Sequence, residues 1–192
     1  MDTSPWSGFR ARLYSLIFRA PQTNRQIVEL AGLSTTDRTI DIGCGPGSAV
    51  RLAAELVVEG EAVGVDRAEP MVRIARRRSS RHPNTRFETG SAESLPFPNG
   101  VFTVAWTAHS FHHWEDRSTG LTEMLRVLSP GGRAFILEQD GKKHGLTDAQ
   151  TGEVVAEMER LGFGSVGVQK LDKQVVISGV AGLPDPPAGS GP

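Results

Sequence analysis

The chain has 192 residues, a formal net charge of −1 and 38% hydrophobic residues. This length suits one domain with a core of its own, and the balanced charge argues against a disordered chain or a chain-wide nucleic-acid-binding surface. No run reaches membrane-spanning length, nothing resembles a signal peptide, and the single cysteine excludes an intramolecular disulfide, so a cytoplasmic protein is expected.

The first 37 residues are predicted to form a helical segment that covers the rest of the chain. A helix over 6–19 would carry an apolar stripe on one side, with Pro21 ending it and a second helix following at about 24–31. Packing on the domain is the favoured interpretation, and a membrane surface, a partner or a second copy of the chain are the alternatives. The stripe consists of Trp6, Phe9, Leu13, Leu16 and Ile17.

A short apolar strand ends at Asp41, and three glycines follow it at alternate positions, Gly43, Gly45 and Gly47. The stretch 48–59 then has helical periodicity. Strand, glycine turn and helix open a doubly wound α/β fold, in which ligands bind at the carboxyl ends of the strands. Glycines permit a sharp turn and a close approach of the backbone to a ligand. A second strand ends at Asp66, which is placed to accept hydrogen bonds from both hydroxyls of a ribose.

The helix predicted over 69–80 carries a run of arginines. One interpretation is a basic patch for nucleic acid, anionic lipid or a phosphorylated substrate, and the other is the solvated face of an outer helix. The second is favoured because no aromatic residues alternate with the arginines. A third strand, at 85–89, is predicted to lie at an edge of the sheet.

A fourth strand, at 101–106, is apolar enough to be central, and His109, His112 and His113 follow it. One helical turn would bring these histidines together. Their possible roles are a metal site completed by Glu115 or Asp116, a general base, or shaping of the pocket and capping of the next helix. The metal site is the least favoured, and no metal is expected.

The remaining chain predicts a helix to residue 127, a turn at 129–132 and a fifth strand at 133–137. Glu138 then either binds substrate or is a solvated carboxylate at the strand end. Thr147 is predicted to cap a helix that ends at 161. Two strands follow, at 165–170 and 174–178, and residues 182–192 are predicted to be a disordered tail because they are rich in proline and glycine.

Together these segments resemble the class I S-adenosylmethionine-dependent methyltransferases. The resemblance rests on Asp41 to Gly47 with Asp66, and on the segments 90–97, 102–109 and 128–138, in order and at normal spacings over roughly residues 38–180. It implies a Rossmann-like α/β domain over 38–181. Its seven strands would be mostly parallel, in the order 3-2-1-4-5-7-6, with the last strand antiparallel. The implied cofactor is S-adenosyl-L-methionine.

The resemblance also implies which residues form the site. The glycine turn would hold the methionine part of the cofactor, Asp66 the ribose, and the segment after strand 3 the adenine, while the loop 107–113 would face the methyl group. Two departures from the family pattern are Ser91, where an aspartate is common, and Ala68, where a small hydroxyl residue is frequent. The implied cofactor residues are Asp41, Gly43, Cys44, Gly45, Gly47, Asp66, Arg67, Met71, Ser91, Ala92, Glu93 and Thr107, and the candidate catalytic residues are His109, His112 and His113.

The predicted function is methyl transfer from S-adenosylmethionine to an oxygen, carbon or nitrogen of a small or lipid-like metabolite. The chain lacks the Asn/Asp-Pro-Pro-Tyr run that is usual in amino-methylating DNA enzymes, so no nucleic-acid partner is expected, and a homodimer is possible. A nucleotide-dependent oxidoreductase would require a glycine in place of Ser48. A regulatory or scaffold protein that binds the cofactor without turnover is the alternative from a different class.

Overall fold

The computed structural model describes residues 21–141 and 145–182. The α-helices in these ranges are α1 (Pro21–Ala31), α2 (Ser48–Ala54), α3 (Glu69–Arg78), α4 (Arg117–Val127) and α5 (Asp148–Leu161). The strands are β1 (Arg38–Ile42), β2 (Glu61–Asp66), β3 (Thr85–Thr89), β4 (Phe102–Ala108), β5 (Leu128–Asp140), β6 (Gly145–Leu146), β7 (Phe163–Leu171) and β8 (Gln174–Ala181). A short 3₁₀ turn spans Phe111–His113.

One sheet contains all of these strands, in the order β3-β2-β1-β4-β5-β8-β7, with the two-residue β6 paired to β5. The pairs from β3 to β5 are parallel, and β8 runs antiparallel to both β5 and β7. With β6 left out of the count, this is the order 3-2-1-4-5-7-6 predicted from the sequence. The fold class is therefore confirmed, as is the edge position of β3.

Helices cover both faces of the sheet, so the central strands are buried on each side. Ile40 of β1 faces the layer formed by α4 and α5, where Met124 and Met158 are buried. Val104 of β4 faces the opposite layer, where Ile27 of α1 is buried together with residues of α2 and α3. The two apolar clusters hold the sheet between the layers, and the carboxyl ends of its parallel strands meet at one edge.

Several predicted boundaries need correction, and β4 extends to Ala108 rather than 106, so Thr107 lies in the strand and not in the loop after it. The helix after the glycine turn ends at Ala54, not 59, because the chain tightens into turns that lead to Gly60 and β2. The turn predicted at 129–132 lies within β5. There the pairing shifts from Phe102 with Leu128 to Val104 with Arg133, and Gly131 has a φ of 78°. This segment is a bulge that remains attached to β4, since Ser129 Oγ donates to the Phe102 carbonyl.

A polar cluster around the buried Asp37 joins α1 to the end of the sheet at which the parallel strands begin. Its carboxylate accepts hydrogen bonds from the Ser34 N–H and Thr103 Oγ1, and an Arg133 guanidinium nitrogen lies 3.1 Å away. The same guanidinium donates to the Ala31 carbonyl at the end of α1. This cluster fixes where α1 ends, and it lies at the edge opposite to the strand carboxyl ends.

The helix predicted over 6–19 lies outside the described residues, as does the predicted tail beyond Gly182. The second predicted helix is confirmed as α1. Within the described ranges, none of the helices has the length and apolar character needed to cross a membrane.

Candidate active site

A pocket of about 330 Å³ opens at the carboxyl ends of β1, β2 and β4. Its walls come from the glycine turn, the start of α3, the loop after β3 and the segment after β4. Most of the residues predicted for the site line it, namely Gly43, Gly45, Asp66, Arg67, Met71, Ser91, Ala92, Glu93, His109 and His113. Five predicted residues are not part of this lining, namely Asp41, Cys44, Gly47, Thr107 and His112.

Sequence reasoning did not name five residues that also line the pocket, namely Ile42, Ala68, Gly90, Ser110 and Trp114, as contact residues. Ser110 stands inside the 107–113 loop that was expected to face the methyl group, and Trp114 follows that loop directly. The resemblance therefore indicated the segment in which Ser110 and Trp114 lie, but no motif identified these two side chains.

The glycine turn is held to the end of β2 by backbone hydrogen bonds. The N–H groups of Gly43 and Cys44 both donate to the Val65 carbonyl, at 2.8 and 2.9 Å. Gly43 and Gly45 have φ values of 84° and 52°, in the left-handed region that favours glycine. A Cβ on Gly43 would overlap Ser110 Oγ, whereas a Cβ on Gly45 would meet open space. Gly43 is thus packed closely against Ser110, whereas Gly45 has open space beside it.

Cys44 is buried within this turn, and burial raises the pKa of its thiol well above the usual value. A thiolate is the reactive form of cysteine, so this environment makes a poor nucleophile. Cys44 therefore serves the packing of the turn.

Asp66 joins the glycine turn to the start of α3. One carboxylate oxygen accepts the Gly45 N–H and the other accepts the Ala68 N–H, each at 2.8 Å. Burial raises the pKa of Asp66, and these two N–H groups oppose the rise. Each carboxylate oxygen can accept two hydrogen bonds, so one position per oxygen remains for a ligand hydroxyl.

Asp41 lies beneath the turn as the register partner of Trp106 on β4. It is buried, and burial is the main reason why its pKa rises to about 7, with the nearby Asp66 adding to the rise. The Trp106 side chain opposes the rise, although its indole N–H has no hydrogen bond of normal geometry. Thr107 Oγ1 is likewise buried without a partner. This end of the sheet therefore holds a carboxyl group that a cation would keep ionised.

The wall formed after β3 is fastened to the segment that follows β4. Glu93 accepts hydrogen bonds from the N–H groups of Glu115 and Asp116, at 2.9 and 3.3 Å. Arg67, on the opposite wall, forms an exposed ion pair of 2.9 Å with Glu115. These contacts bring the two walls together over the apolar part of the pocket, where Met71 is buried.

His109 forms part of the pocket wall in an unusual backbone conformation, with a φ of 53°. Its Nε2 lies 3.1 Å from Gln174 Nε2, which is also 3.4 Å from Thr23 Oγ1. With the Gln174 amide in this orientation, its nitrogen donates and His109 Nε2 accepts, as in a neutral ring. Burial lowers the pKa of His109 in the same sense.

His112 and His113 lie on the 3₁₀ turn, so the single turn expected to bring all three histidines together excludes His109. His112 Nδ1 lies 3.1 and 3.0 Å from the two carboxylate oxygens of Glu138, and the His112 backbone N–H donates to Oε1 at 3.2 Å. The His113 ring lines the pocket with its centroid 3.9 Å from that of His112.

Glu138 itself is fully buried, so its interpretation as a solvated strand-end carboxylate is wrong. Burial raises its pKa to about 7, against the opposing effect of the N–H groups of residues 111, 112 and 139. Among the described residues, no cluster of three or more histidine, cysteine, aspartate or glutamate side chains is arranged to hold a metal ion.

The family described as "Methyltransferase domain" matches residues 40–136, which is half of the chain and runs from β1 into β5. The chain belongs to this methyltransferase family. The resemblance found in the sequence is thereby confirmed, and the glycine turn, Asp66 and the histidine segment all fall inside the matched range.

Curated relatives of this methyltransferase include two proteins of quinone biosynthesis. One is the demethylmenaquinone methyltransferase of Thermus thermophilus, 38% identical over 59% of this chain and 52% of that protein. The other is the ubiquinone/menaquinone biosynthesis C-methyltransferase of Geobacter sulfurreducens, 37% identical over 71% of this chain and 55% of that protein. The chain spans about half the length of the curated relatives it matches.

The solved structures agree on the fold of the methyltransferase. A SAM-dependent methyltransferase from Aquifex aeolicus superposes with a TM-score of 0.76 over 92% of this chain and 99% of that chain. Its sequence identity is 18%, so this similarity concerns the fold alone.

Proposed function

We propose that this protein transfers a methyl group from S-adenosyl-L-methionine to an oxygen, carbon or nitrogen atom of a small or lipid-like metabolite. The observation that carries the proposal is the pocket in which the glycine turn, Asp66 and the loop after β3 meet the histidine segment. Group transfer needs a binding site for the cofactor and an adjacent one for the acceptor. In this pocket the glycine turn, Asp66 and the loop after β3 would form the first, and the histidine segment would form part of the second.

The residues present fit this cofactor. Asp66 retains acceptor positions for ribose hydroxyls, and Met71 with Ala92 offers an apolar slot for a flat base beside Ser91 and Glu93. The buried Asp41, whose pKa is raised to about 7, suits a ligand that carries positive charge. When bound, S-adenosylmethionine would supply a methyl group on a cationic sulfonium that is already activated for transfer.

The chain's own task is to hold an acceptor in line with that methyl group and to keep water away. His113, Ser110 and Trp114 form the wall contributed by the segment after β4, in which Ser110 lies against Gly43 of the glycine turn. We infer that this wall receives the acceptor, and that a histidine among His109, His112 and His113 either takes a proton or shapes the wall.

The acceptor class is suggested by the relatives. One relative is named a demethylmenaquinone methyltransferase and the other a ubiquinone/menaquinone biosynthesis C-methyltransferase, so a quinol-like acceptor is the first to test. We further propose that the protein works in the cytoplasm without a nucleic-acid partner, alone or as a homodimer.

Two measurements test the proposal. Calorimetry should show binding of S-adenosylmethionine and S-adenosylhomocysteine but not of NAD. Labelled S-adenosylmethionine should then transfer its methyl group to demethylmenaquinol, or to a component of an extract of the source organism that mass spectrometry identifies. Binding without transfer to any acceptor would instead support a regulatory or scaffold role, and tight binding of NAD alone would refute the methyltransferase assignment.

A further inference from the structure

The last turn of α4 is joined to the loop after β3 through the side chain of Arg126. A guanidinium group carries five N–H donors. In Arg126, Nε donates to Glu123 Oε1 at 2.6 Å, while Nη2 donates to Glu123 Oε2 at 2.7 Å and to the Leu95 carbonyl at 3.1 Å. Nη1 donates to the Phe97 carbonyl at 2.7 Å and to Asn99 Oδ1 at 2.9 Å. Each donor of Arg126 therefore has a partner.

Glu123 joins α4 to the same loop. Its Oε2 accepts the Leu95 N–H at 2.8 Å, so both backbone polar groups of Leu95 are bonded to side chains of α4. The hydrogen bonds from Arg126 lower the pKa of Glu123, which is therefore ionised at neutral pH. Both side chains are largely shielded from water, and a bidentate pair of this kind is stronger than an exposed ion pair. Glu123 and Arg126 are called the α4 clamp below.

The segment that the α4 clamp holds can satisfy few of its own backbone groups. Pro96 and Pro98 have no N–H, so the segment cannot continue a helix or join the interior of the sheet. The side chains of Leu95 and Phe97 are nevertheless buried in the core. Backbone groups that enter the interior with them require hydrogen-bond partners. The α4 clamp supplies these partners and so determines where the segment lies.

The clamped segment contacts residues that line the pocket. A Cβ on Gly90 would lie only 3.0 Å from Pro96 Cδ, and the Ser94 N–H donates to the Ser91 carbonyl at 3.3 Å. Gly90 and Ser91 both belong to the pocket lining. The wall of the pocket formed after β3 is therefore packed against a segment whose position depends on α4.

We propose that Glu123 and Arg126 are positioning residues for the cofactor, which hold the loop after β3 in the arrangement that receives the adenine base. The inference rests on the proposed function, in which residues 91–93 lie beside that base. Neither clamp residue is part of the pocket lining, so the pair acts through the loop. Without the α4 clamp the loop would adopt the binding arrangement only part of the time, and the apparent affinity for the cofactor would fall by that fraction.

The alternative is that the pair only stabilises α4, as ion pairs at this helical spacing do. The contacts with the loop depend on which position carries the acid, because the Leu95 N–H needs an acceptor at position 123 and the two carbonyls need a donor at position 126. The chain offers a matched pair for comparison on α5. Arg160 donates to both carboxylate oxygens of Glu157 at 2.7 and 2.6 Å and makes no further hydrogen bond or ion pair among the described residues.

The first test compares two ligands that differ in the base. S-ribosylhomocysteine keeps the sugar and amino-acid parts of S-adenosylhomocysteine but lacks adenine. Arg126→Lys keeps the positive charge but offers three donors in place of five. This variant should bind S-adenosylhomocysteine about 10–100-fold more weakly than the wild type and bind S-ribosylhomocysteine equally well, as measured by calorimetry and by NMR titration for the weaker ligand. Arg160→Lys, the control on α5, should change neither affinity.

The second test exchanges the two charges. The double variant Glu123→Arg with Arg126→Glu keeps an ion pair on α4 but reverses donor and acceptor towards the loop, so it should bind S-adenosylhomocysteine as weakly as Arg126→Lys does. Circular dichroism checks that each variant is folded. Asn99→Ala removes a single partner of Arg126 at an exposed position and provides a milder variant, with an expected loss of about 2–10-fold.

The third measurement needs no ligand. Hydrogen exchange of the full chain, followed by mass spectrometry, should show faster exchange at residues 91–95 in Arg126→Lys, with unchanged protection of β1. Unchanged exchange at residues 91–95 would overturn the proposal, as would recovery of wild-type affinity in the charge-exchanged variant or an equal loss for both ligands. A wild type that does not bind S-adenosylhomocysteine would refute the proposed function as well, whereas wild-type binding together with unaffected variants would refute this inference alone.

Discussion

The two sides of the pocket are held together in different ways. On the glycine-turn side, Gly43 and Gly45 are fixed by backbone groups and by Asp66, which lies 21 residues from its partner Gly45 along the chain. On the histidine side, the contacts join side chains from distant segments. His112 pairs with Glu138 across 26 residues, and His109 meets Gln174 across 65.

This difference leads us to expect that the glycine-turn side determines cofactor binding and that the histidine side determines methyl transfer. A cofactor shared by many proteins can be held by backbone groups and a single carboxylate, because any turn of this shape provides them. The acceptor differs between proteins, and in the proposed function the side that receives it is the histidine side, which is built from side chains that can be exchanged. Changes on the glycine-turn side should therefore reduce cofactor affinity, and changes on the histidine side should reduce transfer.

The largest expected effect is on transfer, from deleting residues 1–20. The described chain begins beside the pocket wall, because Thr23 in the first turn of α1 contacts Gln174, which in turn contacts His109. If the N-terminal segment completes the acceptor wall, alone or across a dimer, its removal should abolish transfer. The fold, measured by circular dichroism, should remain, and affinity for S-adenosylmethionine should change little.

Deleting residues 183–192 is the matched control, since β8 ends at Ala181, beside Phe163 and away from the pocket. This deletion should leave transfer intact. Full activity of the protein without residues 1–20 would show that the acceptor side is complete without them. The apolar stripe at 6–17 would then serve a membrane surface or a partner.

The next effect concerns Gly43, where two costs combine. Its φ of 84° strains any other residue, and a Cβ there would overlap Ser110 Oγ. Gly43→Ala should lower the free energy of unfolding by about 2–5 kcal/mol, measured with urea, and weaken cofactor binding. Gly45→Ala, with φ of 52° and open space at Cβ, should cost only about 1–2 kcal/mol.

The double variant Gly43→Ala with Ser110→Gly isolates the clash. It should recover the part of the loss that exceeds the cost of Gly45→Ala, because only the backbone strain remains. If Ser110→Gly recovers nothing, the two sides of the pocket are not coupled at this contact.

The glycine-turn side of the pocket could be predicted from the sequence better than the histidine side. The glycine turn at Gly43–Gly47 and the acid at Asp66 were predictable from their motif and spacing, and the order of the strands was implied by the family resemblance. The partner of Glu138 was not, because nothing in a strand-end carboxylate indicates which residue of a distant turn it will meet. The bulge in β5 was also missed, since the glycines at 131 and 132 favour a turn and only pairing with β4 keeps them in the strand.

Asp66 tests the glycine-turn side more finely. Asp66→Ala should weaken binding of S-adenosylmethionine at least tenfold, because hydrogen bonds to a charged group are worth about 1.5–3 kcal/mol. The same substitution also frees the Gly45 and Ala68 N–H groups, so some affinity could be lost through the turn itself. Calorimetry with adenosine and 2′,3′-dideoxyadenosine distinguishes the two causes. If Asp66 binds ribose, the variant should lose affinity for adenosine only, and an equal loss for both ligands would place the effect in the turn.

The smallest expected effect is on the pH dependence of stability without cofactor. Burial raises the pKa of Asp41 from 3.8 to about 7 in the folded protein, so the folded state binds more protons than the unfolded state between these values. The free energy of unfolding should therefore fall as the pH rises through this window, and Glu138 acts in the same direction from 4.5 to about 7. Asp41→Asn removes the contribution of Asp41, so its stability should fall less steeply, and at pH 8 it should exceed that of the wild type by about 1–3 kcal/mol. Urea unfolding at pH 5, 6, 7 and 8 measures this. Parallel curves for the two proteins would mean that Asp41 keeps its ordinary charge, and that the cofactor end of the pocket is more accessible to water than its burial indicates.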